Sequence, residues 1–218
     1  MPIFTDCKKA VELIKPGSSI AFGTFLAVGA AQSLIDALVE VGTGDLHMIA
    51  IATDYEDKGV GKLIANKQVK SVQASHIGTN KATQAQMRDN EIKIELVPQG
   101  TLLERLRAAG SGLGGILTPT GIGTIVEEGK QILELNGENY LLELPIKPDF
   151  AFIKAKKADR FGNLVYSKTA RNANPVMAMA ADITIVEADE ILEDETIPPE
   201  DVITPGIFVD YVVKSEVQ

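Results

Sequence analysis

Two rhythms of apolar and polar residues run through the N-terminal half of the chain. Short continuous apolar runs predict buried strands over residues 19–22, 46–51, 69–74 and 92–97. Between them lie stretches whose apolar residues recur at helical spacing, over 7–14, 30–41, 60–65, 81–88 and 101–109. In the first helix Ala10, Val11 and Ile14 form one stripe, Thr5 or Asp6 supplies the cap, and Lys15-Pro16-Gly17 ends it. Gly42 closes the second. Strands alternating with helices of this length predict an α/β fold built on a doubly wound, mostly parallel sheet.

Past the 101–109 helix the pattern changes. Glycine is dense over residues 110–124, which suits neither a helix nor a central strand. Such a segment either wraps a ligand, lets two backbones touch, or is a plain surface loop; the apolar residues between the glycines favour the first two. Two apolar-rich runs, 131–135 and 138–144, flank Asn136-Gly137, a strong hairpin signal, and predict an antiparallel excursion. Buried strands follow at 149–155 and 182–186, with a small-residue helix at 176–180 opened by Asn174-Pro175. Lys154, Lys156 and Lys157 are read as solvated, as is the acidic run 187–200. The tail is expected to lie over the surface and add an edge strand at 207–213. Residues 1–218 read as one domain.

Composition narrows the function. A formal net charge of −9 argues against nucleic acid, because neutralising phosphates supplies most of that affinity. No apolar run reaches bilayer length and no signal-peptide pattern is present, so a cytoplasmic protein is expected, off the membrane. The one cysteine, Cys7, cannot form an internal disulfide. His47 and His76 have no ligand-type residues at coordinating spacing, so no metal is expected; His47 reads as an outward strand residue, His76 as a residue near a strand end.

Two junctions invite chemistry. After the 19–22 strand, Gly23-Thr24-Phe25-Leu26-Ala27-Val28-Gly29 leads into a helix, the βα arrangement whose free helix amides bind anions. It lacks the dinucleotide glycine spacing and the Gly-Lys-Ser/Thr ending of a phosphate loop. At the other, Pro98-Gln99-Gly100 joins a strand to a helix: proline fixes the exit, glycine permits close approach, and the Gln99 amide can donate to a carboxylate without adding charge.

Several segments in series resemble the α subunit of the family I short-chain 3-oxoacid (acetate or acetoacetate) CoA-transferases. These are Pro98-Gln99-Gly100-Thr101-Leu102, Gly112-Leu113-Gly114-Gly115, Leu117-Thr118-Pro119-Thr120-Gly121-Ile122-Gly123-Thr124, Val126-Glu127-Glu128-Gly129-Lys130, Gly162-Asn163-Leu164 and Ala170-Arg171-Asn172 with Asn174-Pro175. The resemblance implies the fold shared with ribose-5-phosphate isomerase. It implies acyl-CoA as co-substrate, no permanently bound cofactor, and a β-subunit partner in an α2β2 assembly that carries the glutamate nucleophile in a Ser-Glu-Asn-Gly motif. This chain lacks that motif, and Gly137-Glu138-Asn139 sits in the hairpin, so Glu138 reads as structural and no catalytic residue is expected here. Gln99, with Gly100, implies a grip on the substrate carboxylate, and residues 23–29 a CoA contact. Two departures stand out: Thr24 replaces a glycine, and Ile51-Ala52 replaces a polar pair near the substrate, implying a more apolar acid. A ligand-binding regulator and a sugar-phosphate isomerase, the latter with Asp54 or Glu56 as base, are the competing readings on this fold.

Overall fold

The computed structural model describes residues 1–216. In chain order its elements are β1 (Ile3–Thr5), α1 (Cys7–Val11), β2 (Ser19–Phe22), α2 (Gln32–Val41), β3 (Leu46–Ala52), α3 (Gly61–Ala65), β4 (Val69–His76), α4 (Lys81–Arg88), β5 (Lys93–Leu96) and α5 (Gln99–Gly110). There follow β6 (Ile116–Thr118), β7 (Ile132–Leu135), β8 (Glu138–Glu143), β9 (Phe150–Asp159), β10 (Leu164–Val165), α6 (Asn174–Ala180), β11 (Ile183–Leu192) and β12 (Tyr211–Lys214). The main sheet runs β1-β12-β11-β9-β2-β3-β4-β5, all parallel, with β10 pairing antiparallel to β9.

Side-chain alternation along the central strands builds a core on each face. Ile20 and Phe22 of β2, Met48 and Ala50 of β3, and Phe150 and Phe152 of β9 pack beneath α1 and α2. Their neighbours Ala21, Ile49, Ile51, Ala151 and Ile153 pack on the opposite side with α5 and α6. Burial on both faces explains why these strands read as continuous apolar runs. Phe22 and Phe152 meet edge to face, ring centroids 5.6 Å apart, joining β2 to β9.

From β2 the chain winds outward through β3, β4 and β5; from β9 it winds the other way through β11 and β12. The β2–β9 boundary is therefore the topological switch point, where a parallel sheet opens a crevice at its carboxyl edge.

The antiparallel excursion forms as expected. Asn136 and Gly137, at φ of 54° and 81°, make the turn between β7 and β8, and β6 adds a third strand. Arg105 of α5 ties it down: its Nε donates to the Leu144 carbonyl at 2.7 Å, and its guanidinium pairs with Glu95 at 3.0 Å and buried Glu143 at 3.7 Å.

Four expectations need correction. The helix α1 stops at Val11, and Ile14 is buried through the turn that follows. Strand β11 continues to Leu192, carrying Glu187 into the interior at 0% exposure, so the acidic run does not begin as a solvated face. Lys154 is likewise drawn in to pair with Glu187 at 2.7 Å. The tail strand β12 lies between β11 and β1, and β1 forms the edge.

Candidate active site

A cavity of about 450 Å³ opens at the switch point. Its lining comes from the loop after β2 (Gly23, Thr24, Phe25, Val28), from Ile51 at the end of β3, and from the segment entering α6 (Thr169, Arg171, Asn172, Ala173). The surface is largely apolar, and Arg171 is its one formal charge. It suits a short apolar chain that ends in an anion.

The loop after β2 is shaped by neighbours far away in sequence. Asn174, fully buried, accepts the Lys154 N–H at 2.9 Å and donates to the Gly23 carbonyl at 2.7 Å, the Ala170 carbonyl at 2.8 Å and the Gly29 carbonyl at 3.3 Å. A Cβ on Gly23 would lie 1.8 Å from Asn174 Oδ1. Glycine is needed at this position for packing against the chain itself. Between the fastened ends, Phe25 and Val28 exchange backbone hydrogen bonds of 3.2 and 3.0 Å around Leu26 and Ala27. Those two residues have φ of 51° and 65°. Left-handed backbone costs non-glycine residues roughly 1–2 kcal/mol each, so the turn requires outside support.

Asp54 supplies it. Its carboxylate, 0% exposed, accepts the Ala27 N–H at 2.9 Å, the Thr24 hydroxyl at 3.0 Å and the Val60 N–H at 3.0 Å. Burial pushes its pKa above the ordinary aspartate value, against the lowering effect of these donors. Thr24 is thus accommodated with its hydroxyl already donating to Asp54. Glu56 accepts the Ala82 N–H in the first turn of α4 at 2.9 Å. Neither Asp54 nor Glu56 lines the cavity, which removes the structural support for an isomerase base.

The anion seat expected at the start of α2 is filled from within. Glu187 accepts the backbone N–H groups of Ser33 at 2.7 Å and Leu34 at 3.3 Å, and the Ser33 hydroxyl at 3.1 Å. Lys154 balances its charge. The first amides of α2 have therefore lost their availability to a phosphate.

Sequence-predicted residues fall into two groups. Gly23, Thr24, Phe25, Val28 and Ile51 come together at the cavity; Leu26, Ala27 and Gly29 shape the loop behind it. Ala52 follows Ile51 but belongs to the other pleat of β3 and does not line the cavity, because successive strand residues face opposite ways. Gln99 and Gly100 begin α5, after the edge strand β5, three strands from β2 and so roughly 14 Å away at ordinary strand spacing. Gln99 is exposed. Gly100 lines a separate cleft of about 430 Å³ with Thr101, Glu104, Leu117 and Thr118, between α5 and the excursion. The glycine-rich segment also brings backbones together: a Cβ on Gly110 would lie 2.5 Å from the Met179 carbonyl oxygen.

Asn174 and Arg171 received no site role from the sequence, and Asp54 only that of a base in the isomerase reading. Arg171 carried a signal, as part of the Ala170-Arg171-Asn172 motif. Asn174 stood in the same motif, but the contacts through which it and Asp54 act lie far away in sequence. His76 is exposed at the end of β4, and His47 Nδ1 lies 2.7 Å from the Ser71 hydroxyl. Among the described residues no cluster of three or more His, Cys, Asp or Glu is arranged for a metal ion, and no helix is long and apolar enough to cross a membrane.

A family model described as coenzyme A transferase matches residues 4–215. The chain is 48% identical to the acetate CoA-transferase subunit alpha of Escherichia coli (strain K12), covering 95% of this chain and 94% of that one. It is also 48% identical to the acetoacetyl-CoA:acetate/butyrate CoA transferase alpha subunit of Clostridium acetobutylicum, covering 93% of each. Among solved structures, an acyl-CoA transferase from E. coli O157:H7, in thioester complex with CoA, superposes with a TM-score of 0.85 at 25% identity. That match covers 100% of this chain and 48% of the other, so the chain spans about half the length of that protein.

Proposed function

The chain belongs to the coenzyme A transferase family, and on that footing we propose that it is the α subunit of an enzyme moving CoA between a short-chain acyl-CoA, such as acetyl-CoA, and a carboxylic acid. Residues 1–218 act as one domain, in the cytoplasm, with a β subunit in an α2β2 assembly. The observation that supports this most directly is the apolar cavity at the switch point, with Arg171 as its single charge.

The glutamate expected on the β subunit attacks the donor thioester, giving an acyl-glutamyl anhydride and CoA thiolate. The thiolate attacks the glutamyl carbonyl, which leaves CoA on the glutamate as a thioester and releases the donor acid. The acceptor carboxylate then repeats both steps in reverse. Both intermediates are open to hydrolysis, so a cleft closed between two subunits and lined with apolar groups protects them. In this chain Ile51, Phe25 and Val28 hold the acyl chain, and Arg171 faces its anionic end. Gln99 and Gly100, exposed at the start of α5 and outside this cavity, offer a neutral donor and close approach to a carboxylate that extends along the sheet's carboxyl edge toward β5. The loop of residues 23–29 contacts CoA. Because Ile51 offers no hydrogen bond to a 3-oxo group, the preferred acid is a plain short fatty acid rather than acetoacetate.

Thioester exchange from acetyl-CoA to acetate, butyrate and acetoacetate tests this, with the chain alone and then in complex with its β subunit. Activity is expected only in the complex, with butyrate preferred to acetoacetate. Gln99→Ala should lower kcat/KM by about a hundredfold, the usual effect of losing one such donor. Exchange unaffected by Gln99→Ala would remove Gln99 from the site, and a complex without exchange would end the transferase reading.

A further inference from the structure

We propose that Asp54 is a positioning residue for the acyl cavity: its carboxylate holds the turn between Phe25 and Val28, and through that turn selects the chain length the cavity accepts. The inference rests on the reading of this cavity as the acyl site.

The turn presents two cavity-lining side chains, Phe25 and Val28, on a backbone that its own residues disfavour. A two-residue turn with both φ values positive is the geometry that Asn-Gly adopts readily and Leu26-Ala27 does not. Asp54 compensates from 27 residues away by accepting the Ala27 N–H at 2.9 Å. The same carboxylate binds Thr24 on the near side and Val60, at the entrance to α3, on the far side. Gly59 confines it, since a Cβ there would lie 2.0 Å from Asp54 Oδ2. The carboxylate therefore has one orientation, and three neutral donors fix both of its oxygens. An asparagine has the same shape but only one acceptor oxygen, and its NH2 group would face an N–H donor.

The test uses the complete complex with Asp54→Asn and Asp54→Ala. Amide hydrogen exchange is read over residues 24–29, and kcat and KM are measured for acetate, butyrate and hexanoate. Asp54→Asn should speed exchange in the turn by about tenfold or more, raise the butyrate KM by about tenfold, leave kcat within about twofold, and flatten the preference among chain lengths. Replacing Leu26-Ala27 with Asn-Gly makes the turn self-supporting, so in that background Asp54→Asn should lose most of its effect. A general loss of stability would not be suppressed in this way. If Asp54→Ala fails to fold, the isosteric asparagine variant in the two backgrounds carries the test. Unchanged exchange in Asp54→Asn overturns the proposal, and so does faster exchange with an unaltered KM pattern. A wild-type complex that transfers nothing defeats the transferase reading instead, and turn exchange alone then decides whether Asp54 holds the loop.

Discussion

Thr24 and Asp54 show how a single residue can answer a question raised thirty positions away. Taken locally, Thr24 is an obstruction in a loop bounded by Gly23 and Gly29; in the fold its hydroxyl turns to a buried carboxylate. Gln99 stood out in the sequence because Pro-Gln-Gly at a strand end is a local signal. Asp54 drew notice only as a candidate base and Asn174 only as a helix opener within a motif, because their importance lies in bonds to residues 27 and 151 positions distant. Cys7 is another residue whose chemistry is set by its surroundings. Burial pushes its thiol up to about 12, with the carboxylates of Glu216, Glu187 and Asp6 acting in the same direction. The neutral thiol is the favoured form in the fold, so its contribution to stability is complete below the unfolded value of 9.0 and is lost as the pH rises toward 12. At pH 8 its thiolate fraction is lower by about a thousandfold than in the unfolded chain, so iodoacetamide should label Cys7 readily only after denaturation. Rapid labelling of the native protein would contradict the buried setting.

Elements were legible where one period governs them. The strands β2, β3 and β4 and the helices α2 and α4 follow directly from apolar spacing, and Gly42 marks the end of α2 through a φ of 74°. Periodicity failed at β11, where an acidic residue interrupts an apolar run and reads as the start of solvent. The interior has a use for that acid: Glu187 caps α2 and neutralises Lys154. Glu187→Ala should destabilise the protein by about 3 kcal/mol in urea unfolding, near the lower end for a broken buried pair. The effect stays at that end because Asp189 remains 2.7 Å from Lys154. Glu187→Gln, which keeps an acceptor for Ser33, should cost less; equal losses would mean that the cap contributes nothing.

At the scale of the molecule, alternation of strand and helix predicted a parallel doubly wound sheet, and the sheet has that form. Strand order was hidden, because nothing local tells β9 to insert beside β2 across more than a hundred residues, and the switch point follows from that insertion. The sequence accordingly drew attention to Gln99 at an edge strand, whereas the cavity lies at the centre. Arg105 of α5 bridges the excursion to β5. Arg105→Met should raise hydrogen exchange across residues 111–144 while leaving the sheet's amides protected. Uniform protection in the variant would show that apolar packing alone seats the excursion.

The carboxylate seated on the first amides of α2 also governs how the protein meets salts in its medium. A bare helix start gathers sulfate or phosphate from a buffer, and its stability then follows the buffer's composition. Here the counterion is covalently part of the chain, so the start of α2 is neutralised without help from the buffer. Within the cavity itself, the guanidinium of Arg171 is the charge left to meet an anion.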